Sequence, residues 1–381
     1  MLHKPFSPTE MSFMDFEPLP VSDSPFLLLK GNGNKIEPDD CIFTFMSIPT
    51  GSLFRRKIPV LCNKLFIGSQ YGWIFLKDQL SEPSIFNPLT GQEILLPSIT
   101  TIPNIQISYA NADSSHMRYV YRRCYTSTFI EYTDEDFHGG IHFEMIVASC
   151  PPASSCSNLT IAAIFGCPES LAFLRPGEGR WNIVEDGSYT DLMFCNDGSL
   201  LALEYLSGAL HIIRFGDEGF WVEKLSISMP KMVVFPNQYL VEDAEGGILH
   251  IRRDNDVTEQ ADGSTTVVTC EVLVLRLVVS DNSEKRWQRI EDLDGGAMFL
   301  GTNASLLLQA KDVKGAIQPD CIYFSDDWWD LTPRCRRDEP RDICVYSMKK
   351  GTIEPYCPLL LSSYSTWPLP IWFQVSNTLT N

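Results

Sequence analysis

Gly208-Ala209-Leu210-His211-Ile212-Ile213-Arg214 and Gly247-Ile248-Leu249-His250-Ile251-Arg252-Arg253 share the pattern G-x-L-H-I-x-R, 39 residues apart. A fixed period of a few tens of residues marks an architecture whose units cannot bury their apolar faces alone. A second marker has nearly the same period: Gly179-Arg180-Trp181 and Gly219-Phe220-Trp221 place two tryptophans 40 residues apart. A third, in Lys285-Arg286-Trp287, stands 66 residues further on, and the polar stretch from Asp254 to Thr266 accounts for the excess as an inserted surface loop.

A period near 40 fits a propeller blade of four short strands, whereas helical repeats of that length carry apolar residues spaced by three and four. The chain instead shows short apolar or alternating runs, among them Leu200 to Tyr205, Ile248 to Ile251, Glu271 to Val279, Cys321 to Phe324 and Cys344 to Met348. Asn196-Asp197-Gly198, Leu89-Thr90-Gly91 and Glu245-Gly246-Gly247 supply the positive-φ residues of tight hairpins. The expected fold is all-β, a single β-propeller of six or seven blades of short antiparallel strands. Its expected bounds are residues 41–375, after a Pro-rich irregular segment 1–40 and before a tail 376–381.

Composition restricts the function. With 44% hydrophobic residues against 20% charged, the 381-residue chain holds enough apolar material to fold as a globule. A net charge of -18 leaves no excess of Lys and Arg for phosphates, so nucleic acid and anionic membrane surfaces are not expected partners. The longest apolar run, Val272 to Val279, contains Arg276 and is far short of a membrane span. Residues 1–35 carry Pro5, Pro8, Pro18, Pro20 and Pro25 among acidic residues and no Arg, unlike a signal or transit peptide, so a cytoplasmic or nuclear location is expected. None of the twelve cysteines forms a C-x-x-C pair. Cys41, Cys62, Cys124 and Cys195 read as small buried hydrophobes, with disulfides or a metal as the alternatives. The sequons Asn158-Leu159-Thr160 and Asn303-Ala304-Ser305 matter only in a secreted protein.

Three clusters invite a chemical reading. His138-Gly139-Gly140-Ile141-His142, with Asp136 and Glu144, has zinc-like spacing, but two glycines oppose the helix that would bring both imidazoles to one face. Asp254-Asn255-Asp256 begins like a calcium loop, yet Glu259 stands where the sharp turn needs Gly and Thr265 where a bidentate acid is required, so the stretch reads as a solvated loop. Asp326-Asp327-Trp328-Trp329-Asp330, followed by Arg334 to Glu339, combines carboxylates with aromatics. Adjacent carboxylates on an extended chain point apart, which disfavours a glycosidase pair. Trp and Arg are the side chains that most often anchor protein interfaces, so Trp328, Trp329, Arg336 and Arg337 form a candidate interaction patch, against the alternative of tryptophans packed between blades and arginines paired in water. No phosphate loop, nucleophile elbow, zinc helix or dinucleotide fingerprint is present. Catalytic residues, metals and cofactors are therefore not expected.

Gly68-Ser69-Gln70-Tyr71-Gly72-Trp73 and Ile85-Phe86-Asn87-Pro88-Leu89-Thr90-Gly91 resemble signatures of the plant KIB-type β-propeller family, found as the C-terminal region of many plant F-box proteins. Leu171 to Trp181, Tyr239-Leu240-Val241-Glu242, Phe299-Leu300-Gly301-Thr302-Asn303, Asp320 to Asp327, Gly351 to Tyr356 and Pro370-Ile371-Trp372-Phe373 follow in the family's order. The resemblance implies a protein-binding propeller that recognises substrates for an F-box-type ubiquitin ligase, with a basic partner favoured by the negative charge. The helical F-box module, which docks on a Skp-type adaptor, has no counterpart in residues 1–35, so adaptor binding is not expected from this sequence. A scaffold or competitor lacking the F-box is one alternative. A carbohydrate-active propeller with two carboxylates facing across a central cleft is another.

Overall fold

The computed structural model describes residues 22–31, 41–109, 117–122, 129–133, 142–152, 158–166, 169–185, 187–205, 207–216, 219–225, 237–259, 265–279, 284–313, 317–327, 342–356 and 368–375, with Leu19, Ile227 and Tyr364. Among them the secondary structure is almost wholly strand, the exceptions being single 3-10 turns at Pro59–Leu61, Ile99–Thr101 and Ala310–Asp312.

The first blade takes β1 (Phe26–Lys30), β2 (Ile42–Ser47) and β3 (Leu53–Lys57). The second is β4 (Leu65–Gln70), β5 (Trp73–Lys77), β6 (Pro83–Phe86) and β7 (Glu93–Leu95). A separate three-stranded sheet follows, β8 (Ile105–Tyr109), β9 (Met117–Arg122) and β10 (Phe129–Thr133). The third blade is β11 (Phe143–Ala148), β12 (Ile161–Phe165), β13 (Ser170–Leu174) and β14 (Asn182–Glu185), and the fourth is β15 (Tyr189–Phe194), β16 (Leu200–Glu204), β17 (Leu210–Gly216) and β18 (Gly219–Leu225). The fifth comprises β19 (Asn237–Glu242), β20 (Ile248–Glu259), β21 (Thr265–Val279) and β22 (Lys285–Arg289). The sixth comprises β23 (Gly296–Leu300), β24 (Leu306–Gln309), β25 (Cys321–Phe324), β26 (Cys344–Ser347) and β27 (Thr352–Pro355). Finally β28 (Ile371–Phe373) pairs antiparallel with β1, so the end of the chain completes the first blade. The inner strands β28, β4, β11, β15, β19 and β24 touch in that order, and Trp372 Nε1 donates to Leu300 O at 2.9 Å across the closure.

The blade number is thus six, the lower of the two expected. The room for a seventh is taken by β8–β10, which add Ile105, Tyr119 and Tyr121 to the core between blades 2 and 3. Among the described residues the pairings are antiparallel with one exception, β23 with β25, because the β23–β24 hairpin inserts the inner strand. The propeller begins earlier than residue 41: β1 is buried and hydrogen-bonded on both edges. Residues 376–381 lie outside the described residues.

The tryptophans carry the true blade register. Trp181 immediately precedes β14, while Trp221 and Trp287 lie in β18 and β22, all at the fourth-strand position. The G-x-L-H-I-x-R pair is one strand out of register, with His211 in the third strand of blade 4 and His250 in the second of blade 5. Both copies are the second arm of a tight hairpin, and that local demand explains the match.

The family-like signatures have local causes. Tyr71 and Gly72 take positive φ, 55° and 79°, the two-residue turn matching strand twist at the β4–β5 hairpin. In Asn87-Pro88-Leu89-Thr90-Gly91, the buried Asn87 Oδ1 accepts from Leu89 N and Thr90 N, and Gly91, at φ 74°, returns its N–H to Asn87 O. Arg56 of blade 1 donates to Pro88 O at 3.0 Å, so this turn also locks two blades together. Gly68 allows blades 2 and 3 to close: a Cβ there would sit 2.6 Å from Ile146 O.

The cysteine reading requires correction. Cys41 and Cys62 form a disulfide, because the β2–β3 pairing and the turn after β3 bring their Cα atoms to 5.3 Å; Cys150 is also disulfide-bonded. Cys321 and Cys344 are free and buried, Cys195 is free and half-buried, and Cys124 lies outside the described residues.

Candidate functional site

β20 and β21 run for 12 and 15 residues, whereas β19 and β22 beside them have 6 and 5. β19 pairs with β20 only up to Arg253, and β22 pairs with β21 only from Leu275. Between those limits and the hairpin end, a two-stranded ribbon leaves the blade, kinked by a register shift at Asp254/Asn255. The stretch expected to be a polar surface loop is therefore paired strand from Asp254↔Glu271 to Glu259↔Thr265. Its β-branched residues, Val257, Thr258, Thr265, Thr266, Val267 and Val268, explain the difference. Asp254 and Asn255 are 2% and 8% exposed.

At the root of the ribbon the seam between blades 5 and 6 is polar. Arg253, 1% exposed, donates from Nη2 to Asp327 Oδ1 at 2.7 Å and from Nη1 to Ser325 O at 3.2 Å. Its guanidinium stacks 4.6 Å from the centre of the Phe324 ring. Asp327 also accepts from Asn237 Nδ2 and the Tyr239 hydroxyl. The network continues from Asn255 Nδ2 to Asn237 Oδ1 at 2.8 Å, and from Thr269, through both its N–H and its hydroxyl, to Asp342 Oδ2. Burial pushes the Asp327 carboxyl above its ordinary range, with Arg253 opposing. Burial alone would lower the Arg253 pKa, but Asp327, Tyr239, Asp342 and Asp326 around it raise it. Burial also holds Tyr239 well above the usual phenol value.

These contacts fix both ends of the interval 328–341 to blade 5, at Asp327 on one side and Asp342 on the other. The sequence-derived patch Trp328, Trp329, Arg336 and Arg337 falls in this interval and lies outside the described residues. The groups sequence reading missed are those that hold its ends: Arg253, Tyr239, Asn237, Asn255, Thr269 and Asp342. The available signal was Arg252-Arg253 followed by Asp254 in a strand that continues into the core, a place where charges persist only when paired.

The β23–β24 connection reaches blades other than its neighbours. Ala304 N donates to Ser69 O at 3.2 Å, joining blade 6 to the non-adjacent blade 2, and Ala304 also packs on the core shared by blades 3 and 4. Asn303 of the second sequon is 2% exposed, its amide donating to Phe299 O and Ala304 O. A cavity of about 20 Å³, lined by Glu144, Lys77 and Thr302 among others, has room for one water.

Of the remaining sequence candidates, His142 is 8% exposed and neutral, its pKa driven well below the ordinary value by burial and then by Lys77. His138 and Asp136 lie outside the described residues, among which no group of three or more potential ligands forms a metal site. Asp254, the first residue of the calcium-like stretch, is ion-paired with Arg252 at 2.9 Å. No helix among the described residues is long and apolar enough to cross a membrane.

Comparison with known proteins matches a family model described as KIB1-4 beta-propeller to residues 45–347. F-box protein SKIP23 of Arabidopsis thaliana is 22% identical over 216 residues, 53% of this chain and 50% of that protein, so the chain spans about half the length of the curated relative it matches. Among solved structures, the dihydro-heme d1 dehydrogenase NirN is 10% identical with a TM-score of 0.36, covering 96% of this chain and 78% of its own. Virginiamycin B lyase from Staphylococcus aureus is 9% identical with a TM-score of 0.28, covering 76% and 85%. Likenesses of this degree transfer no activity.

Proposed function

Because the chain belongs to the KIB1-4 β-propeller family, we propose that it is a protein-binding propeller acting as the substrate-recognition part of an F-box-type ubiquitin ligase in the cytoplasm or nucleus. Its binding face carries the β20–β21 ribbon and the ends of the interval 328–341, at Asp327 and Asp342. The observation that supports this most is the buried Arg253–Asp327 pair, which ties the root of a projecting ribbon to the start of a Trp- and Arg-containing interval. Long connections positioned by a rigid scaffold are where binding residues concentrate. Trp328, Trp329, Arg336 and Arg337 supply the anchors, and the net charge of -18 favours a basic partner by steering.

The test is a pull-down from plant cell extract with this chain as bait and with a Trp328→Ala, Trp329→Ala, Arg336→Glu, Arg337→Glu variant beside it. Blots report the Skp-type adaptor and cullin, and mass spectrometry the rest. The expected result is a specific target captured by this chain and lost in the variant; adaptor and cullin captured alongside it support the ligase reading. A target captured without them converts the ligase reading into that of a scaffold or competitor. A target retained by the variant moves the binding face elsewhere.

A further inference from the structure

We propose that the free edge of β20 beyond Arg253 takes up an extended basic segment of a partner protein as an added strand; the inference rests on the reading of the ribbon as part of the binding face. A strand edge without a neighbour presents a row of backbone N–H and C=O groups, and an extended chain satisfies both in one ladder. β19 stops pairing at Asn237↔Arg253, so from Asp254 to Glu259 β20 has β21 on one side and no strand on the other among the described residues. The far edge of the ribbon is less open, because Thr269 N donates to Asp342 Oδ2 and Val274 O accepts from Ile290 N. A strand added to β20 continues the line that β19 leaves.

Charge selects the occupant. The paired arms of the ribbon, from Asp254↔Glu271 to Glu259↔Thr265, carry Asp254, Asp256, Glu259 and Glu271 and no Lys or Arg. All but Glu271 stand on β20. The cations that precede them are already committed, Arg252 to Asp254 and Arg253 to Asp327. Asp256 is exposed and stands across the ladder from Val268, which is 51% exposed. That pair suits a lysine or arginine, whose methylene stem covers apolar surface while its charge meets the carboxylate. A second copy of this chain is disfavoured at the same edge, since ribbon against ribbon would set like charges across the new ladder.

The experiment titrates the full chain against a short synthetic peptide of alternating lysine and valine, read by anisotropy of a dye on the peptide and by amide hydrogen exchange of the protein. Saturable binding is expected, with exchange of the 254–259 amides slowed about tenfold at saturation. The same peptide N-methylated at every residue keeps its charge but cannot donate to a ladder, and should bind about tenfold more weakly. A peptide with glutamate in place of lysine should not bind. Asp256→Lys with Glu259→Lys should weaken the lysine peptide about tenfold. Glu291→Lys with Glu354→Lys, an equal change in net charge at exposed positions elsewhere, should stay within about twofold. Thermal unfolding of each variant checks that the fold is retained. Absence of saturable binding, equal affinity for the N-methylated peptide, unchanged exchange at 254–259, or indifference to the Asp256/Glu259 reversal would each overturn the proposal. The pull-down varies only residues 328–337 and this titration varies β20, so failure of one is distinguishable from failure of the other.

Discussion

Trp181 and Arg253 are both large, both buried and both placed where two blades meet, yet they close their seams by different means. Trp181, 0% exposed, lies 4.9 Å from the Phe143 ring among Trp73, Phe75, Ile99 and Ile102, and its one polar atom donates to Pro97 O at 2.8 Å. Arg253 is held by Asp327, Ser325 O and the Phe324 ring, inside a chain of hydrogen bonds running to Asn255, Thr269 and Asp342. An apolar seam tolerates small errors in position, because dispersion and desolvation are non-directional. A polar seam admits essentially one arrangement, since each group left unpaired would cost its full desolvation. The difference teaches where the molecule has been made specific: the stricter seam is the one that fixes the ends of the longest ribbon and of interval 328–341.

The sharpest way to break this contrast is Arg253→Met, which leaves Asp327 buried without its cation. A loss of about 3–5 kcal/mol in urea unfolding is expected, and Arg253→Met combined with Asp327→Leu should recover much of it. If the double variant is as unstable as the single, the pair is not the unit that seals the seam. The apolar seam should yield by steps: Trp181→Ala costs about 3–5 kcal/mol, but Trp181→Phe, which keeps most of the ring and loses the bond to Pro97 O, costs about 1–2 kcal/mol in the same assay.

A third seam allows the contrast to be read through pH. Asp191 of β15, 3% exposed, accepts from Leu240 N of β19, and burial raises its pKa from 3.8 to about 8. Folding therefore takes up a proton between those values: the stabilisation is fully present below 3.8 and is lost as the pH rises through about 8. Asp191→Asn keeps an acceptor for Leu240 N and should abolish that slope, raising stability at pH 9 relative to the parent by roughly a few kcal/mol while changing little at pH 4. His250 acts oppositely, since burial lowers its pKa to about 3, so its contribution is present above the ordinary histidine value of 6.5 and is lost as the pH falls towards 3. The smallest effect is expected at Arg214, paired with Glu223 at 3.0 Å with side chains 39% and 47% exposed: Arg214→Ala should move stability by about 0.5 kcal/mol or less.

The sequence made the propeller legible through residues whose demands are local. Tyr71-Gly72 and the Asn87 turn each need only their neighbours, and the fourth-strand tryptophans were readable through the repeated Gly-x-Trp step, although Trp181 itself packs on residues far from it in the chain. The six-blade count was not, because β8–β10 occupy sequence without adding a blade, and nothing local separates a strand in an inserted sheet from one in a blade. The ribbon was misread as a loop because its polar residues were judged as solvated; Asn255 and Thr269 instead hydrogen-bond each other and the seam. Arg253 and Asp327 are 74 residues apart in the chain. No periodicity links them, and only the ring brings them together. The disulfide was hidden for a related reason, since Cys41 and Cys62 are 21 residues apart and meet only through the β2–β3 pairing.

The closure of the first blade by β28 has a consequence for how the molecule is made. β1 to β3 leave the ribosome before the other blades, but the strand that covers the inner edge of β1 is contributed by Ile371–Phe373. At about 5–20 residues per second, the wait from Lys57 to Phe373 is roughly 15–60 s. Throughout that time Phe26, Leu27 and Leu28 present an unpaired apolar edge, the kind that other strands add to. From β3 to β28 the nascent chain is thus an open arc, and the arrival of Ile371–Phe373 decides whether it becomes a ring or a seed for aggregation.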